Sequence, residues 1–163
     1  MDAKHGSMTK TEHLTPLPHT AQNRCFGCGV ANEAGLHLEF LLADNGTVVC
    51  LAEIPDTFEG PQGYVHGGII ATLLDETMSK AVRSHKVVGM TRHMEVDYKR
   101  PVPSRAPIRL EGHVVRSDGR KHWAEAKILD SEGKPLAHAK GLFIEVRPRH
   151  EHVALTGEPT PHG

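Results

Sequence analysis

One segment constrains the fold more than any other. From Gly68 to about Arg83 the chain carries IIATLLDETMSKAVR, in which Ile69, Ile70, Leu73, Leu74, Thr77 and Met78 recur at i, i+3, i+4 spacing. That spacing predicts a helix, and a stretch this apolar predicts that the helix is largely buried. Around it the apolar period is two rather than 3.6. Leu36, Leu38, Phe40 and Leu42 fall on one face of a strand; Val48, Cys50, Ala52 and Ile54 repeat this after the turn Asp44-Asn45-Gly46. Met94, Val96 and Tyr98 alternate with polar residues, and Ile108, Leu110, Gly112 and Val114 follow. Asp118-Gly119 turns the chain into Ala124, Ala126 and Ile128, and Ser131-Glu132-Gly133 turns it into Leu136 to Val146. The pattern predicts six strands, the last three antiparallel because their turns are short. One buried helix between the second and third strands makes an α+β layout, an antiparallel sheet wrapped around a central helix.

The rest of the chain sets bounds on function. Residues 1–22 are polar, with Pro16 and Pro18, and read as a flexible or extended arm; residues 149–163 read as a flexible tail. The folded unit is 23–148, one domain in a chain of 163 residues. Nineteen Lys and Arg against twenty Asp and Glu give a net charge of -1, without the basic excess of a nucleic-acid binder. No apolar run is long enough to span a bilayer, and the N-terminus has no apolar leader stretch. Three cysteines (Cys25, Cys28, Cys50) suit a reducing compartment better than a disulfide framework, so the expected location is cytoplasmic.

Three features near the helix carry chemistry. His66-Gly67-Gly68 opens it, where free N–H groups and the helix dipole suit an anion or a developing oxyanion. Read blandly, this is an ordinary Gly-rich helix start. Asp75 stands mid-helix in an apolar stretch, where a carboxylate is costly unless bonded; the bland reading is a solvated acid beside Glu76. Asp75 lies one turn from Ala71 and from Ser79, a small-residue face that something can approach. Thr91 begins the next strand, with a hydroxyl able to orient water or a carboxylate.

Together these residues support a resemblance. His66-Gly67-Gly68-(six residues)-Asp75 resembles the signature of the phenylacetyl-CoA-type (PaaI) thioesterases, a hotdog-fold family within the wider 4HBT-like group. So do Thr91-(six residues)-Tyr98-Lys99-Arg100-Pro101-Val102-Pro103 and Cys25-Phe26-Gly27-Cys28-Gly29 with Asn32 and Gly35-Leu36. The match covers roughly 24–148. The resemblance implies hydrolysis of acyl-CoA without a cofactor, an oxyanion N–H at Gly67 flanked by His66, Asp75 as general base or nucleophile, and Thr91 as its helper. Some relatives carry Asn shortly before the His; here that stretch is Glu59-Gly60-Pro61-Gln62, with Gln62 the nearest equivalent. Gly68 would adjoin the substrate, and Lys99, Arg100 and Arg105 would meet the nucleotide phosphates of CoA.

Spacing also bears on assembly. Gly67 and Asp75 are eight positions apart, roughly 12 Å along one helix. The attacking water and the carbonyl must meet within about 3 Å. Two antiparallel copies of the helix satisfy both requirements, which predicts a two-fold homodimer; the resemblance adds a dimer of dimers. Cys25-x2-Cys28 with His37 is the nearest thing to a metal site, but no second cysteine pair exists, so no metal is expected. Cys50, Trp123 and Tyr98 read as packing residues. Two rival functions are a hotdog hydratase or dehydratase and a non-catalytic acyl-CoA-binding protein.

Overall fold

The computed structural model describes residues 12–147; residues 1–11 of the arm, and residues 148–163 with the tail, lie outside the described residues. Within them the helix is α1 (Gly67–Arg83), close to its expected bounds. Seven strands surround it: β1 (Leu14–Pro16), β2 (Leu41–Ala43), β3 (Val48–Glu53), β4 (Val88–Tyr98), β5 (Pro107–Asp118), β6 (Lys121–Leu129) and β7 (Pro135–Val146). They form one sheet in the order β1-β2-β3-β5-β6-β7-β4, with every neighbouring pair antiparallel. α1 links β3 to the far edge, so the chain passes under the sheet before the β5-β6-β7 meander fills the middle. This is the hotdog arrangement.

The helix packs on β3, β4, β5, β6 and β7. Ile70, Leu73, Leu74, Met78 and Val82 are buried in one core with Leu110, Ala124, Ala126, Ile128, Ala139 and Phe143. Fully burying side chains of this size contributes about 1.5–3 kcal/mol each. Gly112 of β5 makes the close approach possible, since a Cβ there would lie 2.8 Å from the Thr77 methyl. Thr77 itself is fully buried and donates its hydroxyl to the Leu73 carbonyl at 2.7 Å, so no polar atom is stranded.

Two expectations change. Residues 36–42 do not form one strand: only Leu41–Ala43 pair as β2. Leu38 and Phe40 are buried as the alternation requires. However, His37 takes a left-handed φ of 51°, and Leu36 and Leu38 donate their N–H groups to the Phe26 and Gly27 carbonyls. The Cys25–Gly29 loop, not a neighbouring strand, holds this segment. Second, the arm is not free throughout. Leu14–Pro16 pair with Leu41–Ala43, and Leu17 donates to the Phe40 carbonyl at 2.9 Å, which makes seven strands instead of six.

Candidate active site

The helix start is built by His66. It is the N-cap, with an extended ψ of 138°, and its Nδ1 accepts the Gly68 N–H at 2.9 Å. An accepting Nδ1 leaves the proton of the neutral ring on Nε2. His66 therefore fixes the helix start and occupies the Gly68 N–H, while Gly68 itself remains exposed. The Gly67 N–H is at the first helical position, where a helix offers no internal partner. Tyr98 donates its hydroxyl to the Gly67 carbonyl at 3.0 Å, and its ring lies 3.7 Å from where a Gly67 Cβ would be. Tyr98 is 54% exposed, so it is not the packing residue expected.

Asp75 lies on the side of the helix that meets β4. Thr91 donates its hydroxyl to Asp75 Oδ1 at 2.6 Å. Thr91 is the fourth residue of β4, not its first, because the strand begins at Val88. Burial pushes the Asp75 carboxyl above its ordinary 3.8; the Thr91 bond pulls it back, and the charge of Glu76 pushes it up again. A half-buried carboxylate with one short hydrogen bond and its second oxygen available is suited to taking a proton from water.

β4 runs antiparallel to α1, so Thr91 meets mid-helix while Tyr98 meets its start. β4 is also the sheet's outer strand: it pairs with β7 on one side only. Met90, Thr91 and Tyr98 are exposed along it, Met90 at 60%.

The cationic residues are less concentrated than the sequence suggests. Arg100 donates Nη1–H to the Pro135 carbonyl at 2.8 Å. Arg105 faces Asp56 at 3.6 Å from a left-handed φ of 54°. Lys99 and Gln62 are exposed. Glu76, the neighbour of Asp75, points inward with a side chain only 13% exposed, 3.4 Å from Cys25 Sγ and 3.7 Å from Lys80 Nζ. His37 does not join the cysteines; its Nε2 lies 2.6 Å from the Asn32 carbonyl.

Comparison with known proteins gives the family of the chain. The family model described as the thioesterase superfamily matches residues 62–137, a span holding Gly67, Asp75, Thr91 and Tyr98. The acyl-coenzyme A thioesterase THEM4 of Rattus norvegicus is 32% identical over 71% of this chain and 52% of its own. The chain thus spans about half the length of the curated relatives it matches. An X-ray structure of a protein from the thioesterase superfamily is 30% identical over 69% of this chain and 86% of that chain, with a TM-score of 0.61. A Bacillus halodurans protein solved with CoA is 25% identical over 70% of this chain and 77% of its own, with a TM-score of 0.62.

Proposed function

Since the chain belongs to the thioesterase superfamily, we propose that it hydrolyses acyl-CoA to a carboxylic acid and CoA, in a site shared by two copies of the chain. The observation that carries this reading is the 2.6 Å bond from Thr91 to a half-buried carboxyl held above its ordinary pKa. A relative named as an acyl-coenzyme A thioesterase and a structural neighbour solved with CoA support the substrate class.

The reaction divides between two groups. Asp75 takes a proton from water as the oxygen attacks the thioester carbonyl carbon. The Gly67 N–H donates to the oxyanion of the tetrahedral intermediate. As the carbonyl re-forms, the carbon–sulfur bond breaks, and the CoA sulfur leaves with the proton that Asp75 held. Removing one oxyanion donor typically costs about 10²–10³ in rate, so Gly67 placement matters as much as the base.

The roughly 12 Å along α1 between Gly67 and Asp75 is too far for one copy to serve one carbonyl. The exposed outer edge of β4, with Thr91 and Tyr98 on it, is the face across which a second helix would bring its Gly67 opposite Asp75. We therefore read the working form as a two-fold homodimer with two equivalent sites.

The first test is release of free thiol from a panel of aryl, medium-chain and long-chain acyl-CoA, followed with a thiol reagent. Release supports hydrolysis; binding without release, or water addition to an enoyl-CoA, overturns it. The shared site is tested by complementation. A bulky substitution at Gly67 and Asp75→Asn each inactivate their own dimers, and subunit exchange should restore one working site per mixed dimer. Activity staying at the level of the two parents after proven exchange would rule the shared site out.

A further inference from the structure

The reaction leaves unused a compact cluster on another side of the helix. Cys25 Sγ, Cys28 Sγ and a Glu76 carboxylate oxygen all lie within 4.8 Å of one another. Cys28 is buried, Cys25 is half-buried, and the Glu76 side chain is 13% exposed. We propose that these three residues bind a thiophilic divalent cation, zinc foremost.

The geometry suits a tetrahedral ion. With Zn–S of about 2.3 Å and Zn–O of about 2.1 Å, ligand atoms sit roughly 3.6–3.8 Å apart, within the span already present. Cys25 Sγ is 3.4 Å from Glu76 Oε2 before any ion enters. The loop is shaped to hold this convergence. Asn23 Oδ1 accepts the Cys25 N–H at 2.9 Å, the Gly29 N–H returns to the Cys25 carbonyl at 2.8 Å, and Asn23 Nδ2 reaches Cys28 Sγ at 3.3 Å. Gly27 sits directly on the acid: a Cβ there would lie 2.7 Å from the Glu76 Cδ and Cγ, and the Cys25–Cys28 spacing could not close on the helix. Three protein ligands leave one position of a tetrahedron for water.

Charge balance favours an ion as well. Two thiolates and the Glu76 carboxylate carry three negative charges. Lys80, 3.7 Å from Glu76 Oε1, carries one positive charge, and a divalent cation brings the sum to zero. A cation bound through sulfur takes the thiolates, so uptake displaces the thiol protons and affinity rises with pH. The ion would tie the 23–29 loop, which supports residues 36–38, to the middle of α1.

The test uses the full chain, reduced and stripped with a chelator, then titrated anaerobically with Co²⁺ and with Zn²⁺ against a chromophoric chelator. One ion per chain is expected, with a thiolate-to-cobalt charge-transfer band that separates this site from the many histidines. Cys25→Ser and Cys28→Ser should abolish the band, and Cys50→Ala should keep it. Glu76→Gln should weaken zinc binding by about tenfold or more, since even outer-shell partners are worth 10–100-fold. Should a cysteine variant fold poorly, the wild-type chain decides alone: zinc must raise its thermal midpoint at stoichiometric concentration. Absence of the band in chain with three free thiols, an unchanged band in Cys25→Ser, or formation of a Cys25–Cys28 disulfide with no uptake of metal would overturn the proposal.

Discussion

Asp75 and Glu76 are adjacent in sequence and opposite in circumstance. Asp75 faces β4 with one hydrogen-bond partner and a carboxyl raised by burial. Glu76 faces the Cys25–Gly29 loop, with Lys80 and Cys25 against it. A helix turns about 100° per residue, so neighbouring positions look toward different parts of the fold. The difference shows how one largely buried helix hosts two carboxyls. One has a single hydrogen-bond partner and is the base of the proposed reaction; the other is held by Lys80 and Cys25 and is a ligand of the proposed ion.

The largest expected effect tests the reactive side. Asp75→Asn keeps the shape and the Thr91 contact but removes the base, and should lower kcat by about 10²–10⁴ with the thermal midpoint near that of the wild type. Near-normal turnover in this variant would remove the contrast altogether. Thr91→Ala comes next. It should cost less than Asp75→Asn, about tenfold, while Thr91→Ser stays close to wild type because the hydroxyl survives. The pH profile adds a sign. Asp75 works as the carboxylate, and its pKa is raised, so activity should fall with decreasing pH before an ordinary aspartate would protonate. The Thr91 bond favours the ionised form, so Thr91→Ala should move this acid limb further up. A limb that moves down, or equal losses in Ala and Ser, would make Thr91 a packing residue.

Much of this was legible in the sequence, because a period of 3.6 over four turns has no competitor among alternating segments. α1, β3 and the β5-β6-β7 meander followed from that contrast and from turn residues at Gly46, Gly119 and Gly133, all with left-handed φ. β1 was not legible: Leu14-Thr15-Pro16 is three residues with a proline, and its pairing depends on a partner some 27 residues away. The alternation at 36–42 gave the correct buried residues and the wrong element, since burial fixes side-chain direction but not the source of the backbone bonds. In the site, Asp75 and Thr91 were legible as types that chemistry needs. Tyr98 was not, because its role depends on β4 running antiparallel to α1. Glu76 was not, because Cys25 is 51 positions away and nothing in helical spacing selects between solvent and that loop.

A smaller effect tests the satisfied side. Glu76→Gln retains the shape but loses the charge that meets Lys80 and Cys25. It should reduce stability by about 1–2 kcal/mol in urea unfolding, the scale of a partly buried charged hydrogen bond. Its loss of turnover should fall far short of that in Asp75→Asn. A loss of kcat as large as that of Asp75→Asn, with stability unchanged, would reverse the roles of the two acids.

The smallest expected effect concerns how far the Asp75 side extends. β4 carries Thr91 at mid-helix and ends at Tyr98, and the chain continues to Lys99 and Arg100, both exposed. Arg100 holds the Pro135 carbonyl through Nη1–H, but a guanidinium has five donors, so its remaining N–H groups can meet a phosphate. A solvent-exposed pair of this kind is worth about 0.2–1 kcal/mol, which converts to no more than a few-fold in KM. Arg100→Ala should therefore raise KM for acyl-CoA a few-fold, leave kcat in place, and leave KM unchanged for a truncated thioester without the nucleotide. The effect should shrink with added salt, because exposed charges are screened. An equal rise for both substrates would mean that Arg100 acts through the Pro135 carbonyl and the β6–β7 turn, and that the substrate-facing surface stops at Tyr98.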